Sequence, residues 1–111
     1  MHFWKNRPIQ NPPYFAVIFS SEKSEDLEGF EEMDKLMLEL ALEQPGLLGY
    51  ESSGNEKENI FISYWDSMES INTWRNNSEH IIAKKLGKKN WYKRYLSQIC
   101  KVESSFEFIK S

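Results

Sequence analysis

The chemistry available to this 111-residue chain lies in two histidines, one cysteine and an aromatic set of seven Phe, five Tyr and four Trp. His80 carries an imidazole whose charge changes near neutral pH, so it could take a proton from a phenol or an enol. The same side chain could instead cap a helix or sit at the edge of a core, bonded to a backbone carbonyl. Trp65, Trp74, Trp91 and Tyr92 could wall a cavity for a flat ligand, through offset or edge-on ring contacts. They could equally be core anchors. Arg75 adjoins Trp74 and has a fork of donors for an enolate or carboxylate. Neighbours on a helix diverge by about 100°, which turns Arg75 towards solvent. Tyr50, Tyr64, Tyr92 and Tyr95 offer hydroxyls to a ligand or to backbone, and Cys100 reads as a small buried apolar residue. There is no nucleophile elbow, no glycine-rich phosphate loop and no carboxylate/histidine cluster with metal spacing. Hydrolase, nucleotide-dependent and metal-dependent readings are therefore disfavoured, and no cofactor is expected.

Composition narrows the class further. Hydrophobic residues make up 40% and charged ones 28%, the mixture of a single globular domain. The longest apolar run covers residues 14–19, too short for the roughly 18 or more that cross a bilayer. No membrane association is expected. One cysteine excludes an intrachain disulfide, and with no secretory pattern at the start the expected compartment is the cytoplasm. Net charge is only −3 but uneven. Residues 22–43 hold nine acids against two lysines, whereas residues 80–102 hold seven bases and no acid. Basic residues interleaved with Trp91, Tyr92 and Tyr95 could serve a single-stranded nucleic acid. A solvated helix face fits an acidic protein better, so no nucleic-acid partner is expected.

The elements that must position these residues follow from periodicity. Residues 1–13, with Pro8, Pro12 and Pro13, read as an arm outside the fold, and residues 14–111 as one domain. A first strand covers 14–20 and is apolar on both faces. Ser24 reads as the cap of a helix running to Leu42 or Glu43, with Leu27, Phe30, Met33, Met37, Leu40 and Ala41 in one stripe. Strands at 47–52 and 59–65 flank a turn at Gly54-Asn55. Asp66 with Glu69 reads as a capping box for a short helix ending near Asn76 or Asn77. A further helix then stops at Gly87, a helical turn covers 90–95, and a last strand covers 98–108. The order β-α-β-β-α-β is that of an α+β, ferredoxin-like antiparallel sheet with helices on one face. One helical layer cannot cover strands that are apolar on both sides, so a second copy of the chain is expected to cover the rest.

Tyr64-Trp65-Asp66-Ser67, a second Trp nine residues after the first, and His80 six residues later carry a resemblance. Pro45-Gly46-Leu47-Leu48-Gly49-Tyr50 adds to it. Over residues 14–108 the chain resembles the antibiotic biosynthesis monooxygenase domain family of the dimeric α+β barrel superfamily. The resemblance implies two protomers closing a barrel, each with a pocket between sheet and helices. Some members oxygenate anthrone- or quinol-like aromatics without metal or flavin, while others degrade haem or isomerise small molecules. The expected function is binding of a small phenol-, quinol- or anthrone-like molecule and its cofactor-independent oxygenation. His80 is then the base, and Trp65, Trp74, Trp91 and Tyr92 hold the substrate. The alternative is a non-catalytic dimer, a small-molecule binder or stress-related protein with the same cavity.

Haem-degrading relatives use an asparagine on the first strand, a tryptophan in the helix after the third strand, and a histidine ten residues beyond it. Trp74 matches the tryptophan, but Lys84 stands ten residues on and residues 14–20 contain no asparagine. Haem degradation is not expected. Titrated haem should keep its porphyrin spectrum when a reductant is added, and progressive loss of that spectrum would contradict this reading.

Overall fold

The computed structural model describes residues 1–84 and 91–110, with side chains described for 1–78 and 91–110. Its elements run β1 (His2–Trp4), β2 (Tyr14–Lys23), α1 (Phe30–Glu43), β3 (Leu47–Gly54), β4 (Glu58–Trp65), α2 (Met68–Lys84) and β5 (Tyr92–Val102). The strands form one sheet in the order β1-β3-β4-β2-β5, every neighbouring pair antiparallel. From β2 onward this is the expected β-α-β-β-α-β order. β2 is central because its run Tyr-Phe-Ala-Val-Ile-Phe suits a strand paired on both sides. It pairs with β4 from Phe15↔Trp65 to Glu22↔Glu58, and with β5 from Tyr14↔Val102 to Lys23↔Tyr92.

The segment expected to be an arm is partly a strand. β1 pairs with β3 at the sheet edge, ahead of the three prolines, where a short strand is tolerated. Trp4 lies opposite Gly49 and stacks on Tyr64 at 4.5 Å between ring centroids. A Cβ at Gly49 would collide with the Phe3 carbonyl oxygen and lie 2.9 Å from the Trp4 ring, so glycine is what lets β1 pair there and the indole reach Tyr64.

Helix boundaries differ from expectation for identifiable reasons. α1 begins at Phe30, not near Ser24. Asp26 Oδ1 accepts the Glu28 N–H (3.3 Å) and Ser24 Oγ donates to the Asp26 carbonyl (3.3 Å), local bonds that compete with a helix. Gly29 then takes the left-handed conformation (φ 81°) as the N-cap. At α2 the cap is Ser67 rather than Asp66. Ser67 Oγ accepts the Ser70 N–H at 3.1 Å, and Asp66 Oδ1 instead accepts the Ser70 hydroxyl at 2.7 Å. The break expected at Asn76–Ser78 is absent, and α2 is continuous. Ser78 Oγ donates to the Arg75 carbonyl (3.1 Å), so a polar run that could start a helix stays inside one. The helix end expected at Gly87 lies outside the described residues.

The last strand also shifts. The turn expected at residues 90–95 is largely extended, and β5 ends at Val102 instead of reaching Phe108. β2 explains both limits: it offers partners only from Lys23, opposite Tyr92, to Tyr14, opposite Val102. Residues 103–110 have no regular structure and leave Phe106, Phe108 and Ile109 exposed.

Both helices pack on the same sheet face. Ile71 of α2 joins Leu47 and Trp65, with Phe15, Val17 and Trp74 against them; Phe30 and Met33 of α1 join Trp91. Replacing Ser67 by Ala should cost about 1 kcal/mol through the lost cap. Gly49→Ala should cost about 1–3 kcal/mol and free β1, read as new protease cleavage within the first residues. Urea unfolding of both variants checks the two values.

Candidate functional site

Register places a band of rings across the helix-covered face of the sheet. Paired residues share a face, so Phe3 joins Tyr50, and Phe19 joins Phe61. Phe3 and Tyr50 have ring centroids 5.6 Å apart, and Tyr50 stacks on Phe61 at 5.6 Å and 25°. Phe19 stacks on Tyr95 at 5.4 Å and 26°, and Tyr92 meets Phe19 edge-on at 5.7 Å. Five strands thus each contribute a ring to one row: Phe3, Tyr50, Phe61, Phe19 and Tyr95. Phe19 and Phe61 stay half-buried and Tyr95 is exposed, which leaves ring faces for a flat guest.

The residues singled out from the sequence flank this band in two separate groups. Trp65 is completely buried, donates from Nε1 to Ser63 Oγ (2.8 Å), and stacks on Trp74 at 6.0 Å. Trp91 is buried at the other end, donating from Nε1 to the Glu28 carbonyl (2.9 Å), with Tyr92 and Trp91 both edge-on to Phe30. Trp65 sits at the level of Phe15 and Tyr92 at that of Lys23, eight residues apart on β2, or about 26 Å at strand rise. The structure pairs Trp65 with Trp74 and Trp91 with Tyr92, but does not bring the two pairs together. His80 belongs to α2, and its side chain lies outside the described residues. Cys100, expected to be buried, is exposed on the opposite sheet face at the edge strand. Sequence reasoning missed Phe3, Phe19 and Phe61 as ring contacts, and named Tyr50 and Tyr95 only for their hydroxyls. Alternation gave the face of each within its own strand, but only cross-strand register aligns them.

Two titrating groups border the band. Burial, then the charge of Asp34, then Tyr95 push the Tyr92 phenol up to about 12. Burial also raises the Asp34 carboxyl, against the opposing pull of Lys23, whose Nζ lies 4.7 Å over the Phe30 ring. On the other face Tyr64 donates to Glu51 Oε2 at 2.6 Å, and burial with that bond holds its phenol well above the usual range. An open groove of about 440 Å³ lies at the β3–β4 hairpin end, bordered by Ser20, Glu22, Ser53, Glu58, Ile60 and Arg94. Among the described residues no group of three potential metal ligands occurs, and no helix is long and apolar enough to cross a membrane.

The family profile described as antibiotic biosynthesis monooxygenase matches residues 13–85. The chain belongs to the antibiotic biosynthesis monooxygenase family. A relative from Bacillus subtilis, "Uncharacterized protein YqjZ", is 46% identical over 104 residues, covering 93% of this chain and 90% of its own. Among solved structures, the fold is similar to a mutant of SnoaB, a cofactor-independent oxygenase from Streptomyces nogalater. The TM-score is 0.67 at 9% identity, over 85% of this chain and 97% of that one. A Pseudomonas aeruginosa protein gives a TM-score of 0.65 at 13% identity, over 87% and 99%. At such identities these two likenesses speak to the family's fold alone.

The raised Tyr92 phenol sets a pH dependence for this family member. An acid whose folded-state pKa is raised costs nothing below the unfolded value of about 10. It destabilises progressively as pH climbs from there through about 12, because only the unfolded chain ionises freely. Tyr92→Phe should therefore flatten the fall in melting temperature over that window, relative to the parent chain, in thermal scans at stepped alkaline pH.

Proposed function

We propose that this protein binds a small planar aromatic molecule of the phenol, quinol or anthrone class on the helix-covered sheet face, and oxygenates it without a cofactor. The row Phe3–Tyr50–Phe61–Phe19–Tyr95 carries the reading. The half-buried rings of Phe19 and Phe61, with exposed Tyr95 beside them, offer ring faces to a flat ligand, and the Tyr95 hydroxyl can accept from or donate to its oxygen. Tyr92, edge-on to Phe19 and Tyr95, borders the guest on one side. The reaction class comes from the family and from the SnoaB neighbour, named as a cofactor-independent oxygenase.

In this reading His80 accepts the proton of a bound phenol or enol. Tyr92, held up to about 12, keeps its own proton at neutral pH and acts as a donor, not a base. The anion passes one electron to O2, the two radicals combine into a C–O bond, and the peroxide loses water to leave a carbonyl. The substrate supplies both hydrogens of that water, and O2 is the only oxidant.

The active unit we propose is a homodimer. On the sheet face opposite the helices, Ile18, Ile60, Ile62 and Leu96 align across β4, β2 and β5, and Ile60 and Leu96 are exposed. A second copy of the same face is the self-complementary cover. The unpaired, exposed Cys100 suits a reducing compartment such as the cytoplasm.

The second reading, a non-catalytic binder, is favoured by the complete burial of Trp65 under Trp74, which leaves Trp65 no open ring face at the very corner the family motif marks. Oxygen uptake with anthrone- and quinol-type compounds separates the two. Turnover is expected, with His80→Ala lowering its rate about 100-fold or more while the melting temperature barely moves. Phe61→Ala should weaken binding of the same compounds. Binding without uptake would support the binder, and absence of both would overturn the site.

A further inference from the structure

Residues three apart on a regular strand point to opposite faces, yet Tyr92 and Tyr95 meet at 5.7 Å between ring centroids and both contact Phe19. A bulge in the β2–β5 ladder makes this possible. Glu22 pairs with Arg94 but Lys23 pairs with Tyr92, so Lys93 is the extra residue. Lys93 turns away towards Glu22, at 3.9 Å. Tyr92 is thereby re-aimed onto the helix-covered face, and its cross-strand partner Lys23 lies there with it, under Phe30 of α1. Bulges that re-aim a side chain in this way are over-represented beside active sites.

Lys23 brings to this corner a charge that the chain itself does not pair. The residue is half-buried, and its ammonium lies 4.7 Å from the centre of the Phe30 ring. Among the described residues it forms no ion pair and no side-chain hydrogen bond. Three N–H donors are thus partly withdrawn from water without an acceptor, an arrangement that favours an incoming anion. Tyr92 is a second donor beside it, because burial pushes its phenol up to about 12 and keeps it protonated at neutral pH. Asp34, one turn along α1 from Phe30, acts electrostatically on both Lys23 and Tyr92 without closing an ion pair with the lysine.

We propose that the aromatic guest carries a carboxylate, held at this corner by the Lys23 ammonium and the Tyr92 hydroxyl while its rings lie against Phe19 and Tyr95. The two oxygens of one carboxylate can accept from both donors, and such charge-assisted bonds are stronger than neutral ones. A neutral guest leaves Lys23 unpaired, and a cationic one is repelled by it. Asp34 limits the charge that fits: a dianion such as a phosphate ester meets twice the repulsion from its carboxylate. The inference rests on the aromatic site proposed above and narrows its substrate class to hydroxylated aromatic acids.

The compound 6-hydroxy-2-naphthoate and its uncharged carboxamide share the same rings, so the ratio of their dissociation constants reads the charge alone. In fluorescence titrations at neutral pH the parent chain should bind the acid about tenfold more tightly than the amide. Lys23→Met should abolish that preference and leave amide binding unchanged, whereas Lys23→Arg should keep it. Asp34→Asn should widen the preference about twofold or more, by removing a like charge. Added salt should narrow it in the parent chain. Opposite signs at positions 23 and 34, with amide binding constant, are a signature that a merely structural role does not produce. Equal binding of acid and amide by the parent chain, or a preference that survives Lys23→Met, would overturn the carboxylate corner and leave the aromatic site standing. Failure to bind either compound would also overturn the corner, and if oxygen uptake and binding of anthrone- and quinol-type compounds are absent too, the aromatic site falls with it.

Discussion

Everything else in this protein hangs on β2, a strand hydrogen-bonded along both edges and apolar on both sides. Its ladders with β4 and β5 run nearly its whole length, so it sets where those strands begin and end. One side of β2, Phe15, Val17 and Phe19, meets helices and rings. The other, Tyr14, Ala16 and Ile18, meets only what neighbouring strands supply. Those strands bury Tyr14 and Ala16 and leave Ile18 half-buried, since the helices lie on the other face alone. That asymmetry separates the molecule into a helix-covered face and a bare face.

The helix-covered face is ordered by tryptophans at its two ends. Trp65 with its indole N–H on Ser63, and Trp91 with its indole N–H on the Glu28 carbonyl, are buried with their one polar atom satisfied. Satisfied burial makes them walls, not contacts that can rearrange for a guest. The flatter rings between them, Phe61, Phe19 and Tyr95, keep accessible faces because strands, unlike helices, present side chains in a plane. Rigidity at the ends and exposed ring faces between them are what a small aromatic ligand requires of a site.

The bare face is closed over only part of its length. Its first half is closed from within: Trp4 crosses Gly49 to stack on Tyr64, Tyr14 packs edge-on to the same ring, and Glu51 accepts the Tyr64 hydroxyl. The second half, towards Ile60 and Leu96, stays open. The N-terminal strand thus covers one end of the face, and the C-terminal tail carries apolar side chains with nothing beneath them.

What the sequence by itself determined is the order of elements and the face of each strand residue. Alternation put Ile60, Ile62 and Tyr64 opposite Phe61, Ser63 and Trp65, and the stripe through Phe30, Met33 and Ala41 assigned the buried side of α1. These are local consequences of a two-residue or 3.6-residue repeat. Boundaries were less legible, because Ser24, Asp26, Ser67 and Ser78 can each hydrogen-bond their own backbone in several ways. Which way wins depends on what packs nearby. The limits of β5, the edge position of β1 and the alignment of Phe61 with Phe19 and of Tyr50 with Phe3 belong to tertiary structure alone. Register between strands distant in the chain is chosen by packing, and no residue's type records which partner it will face.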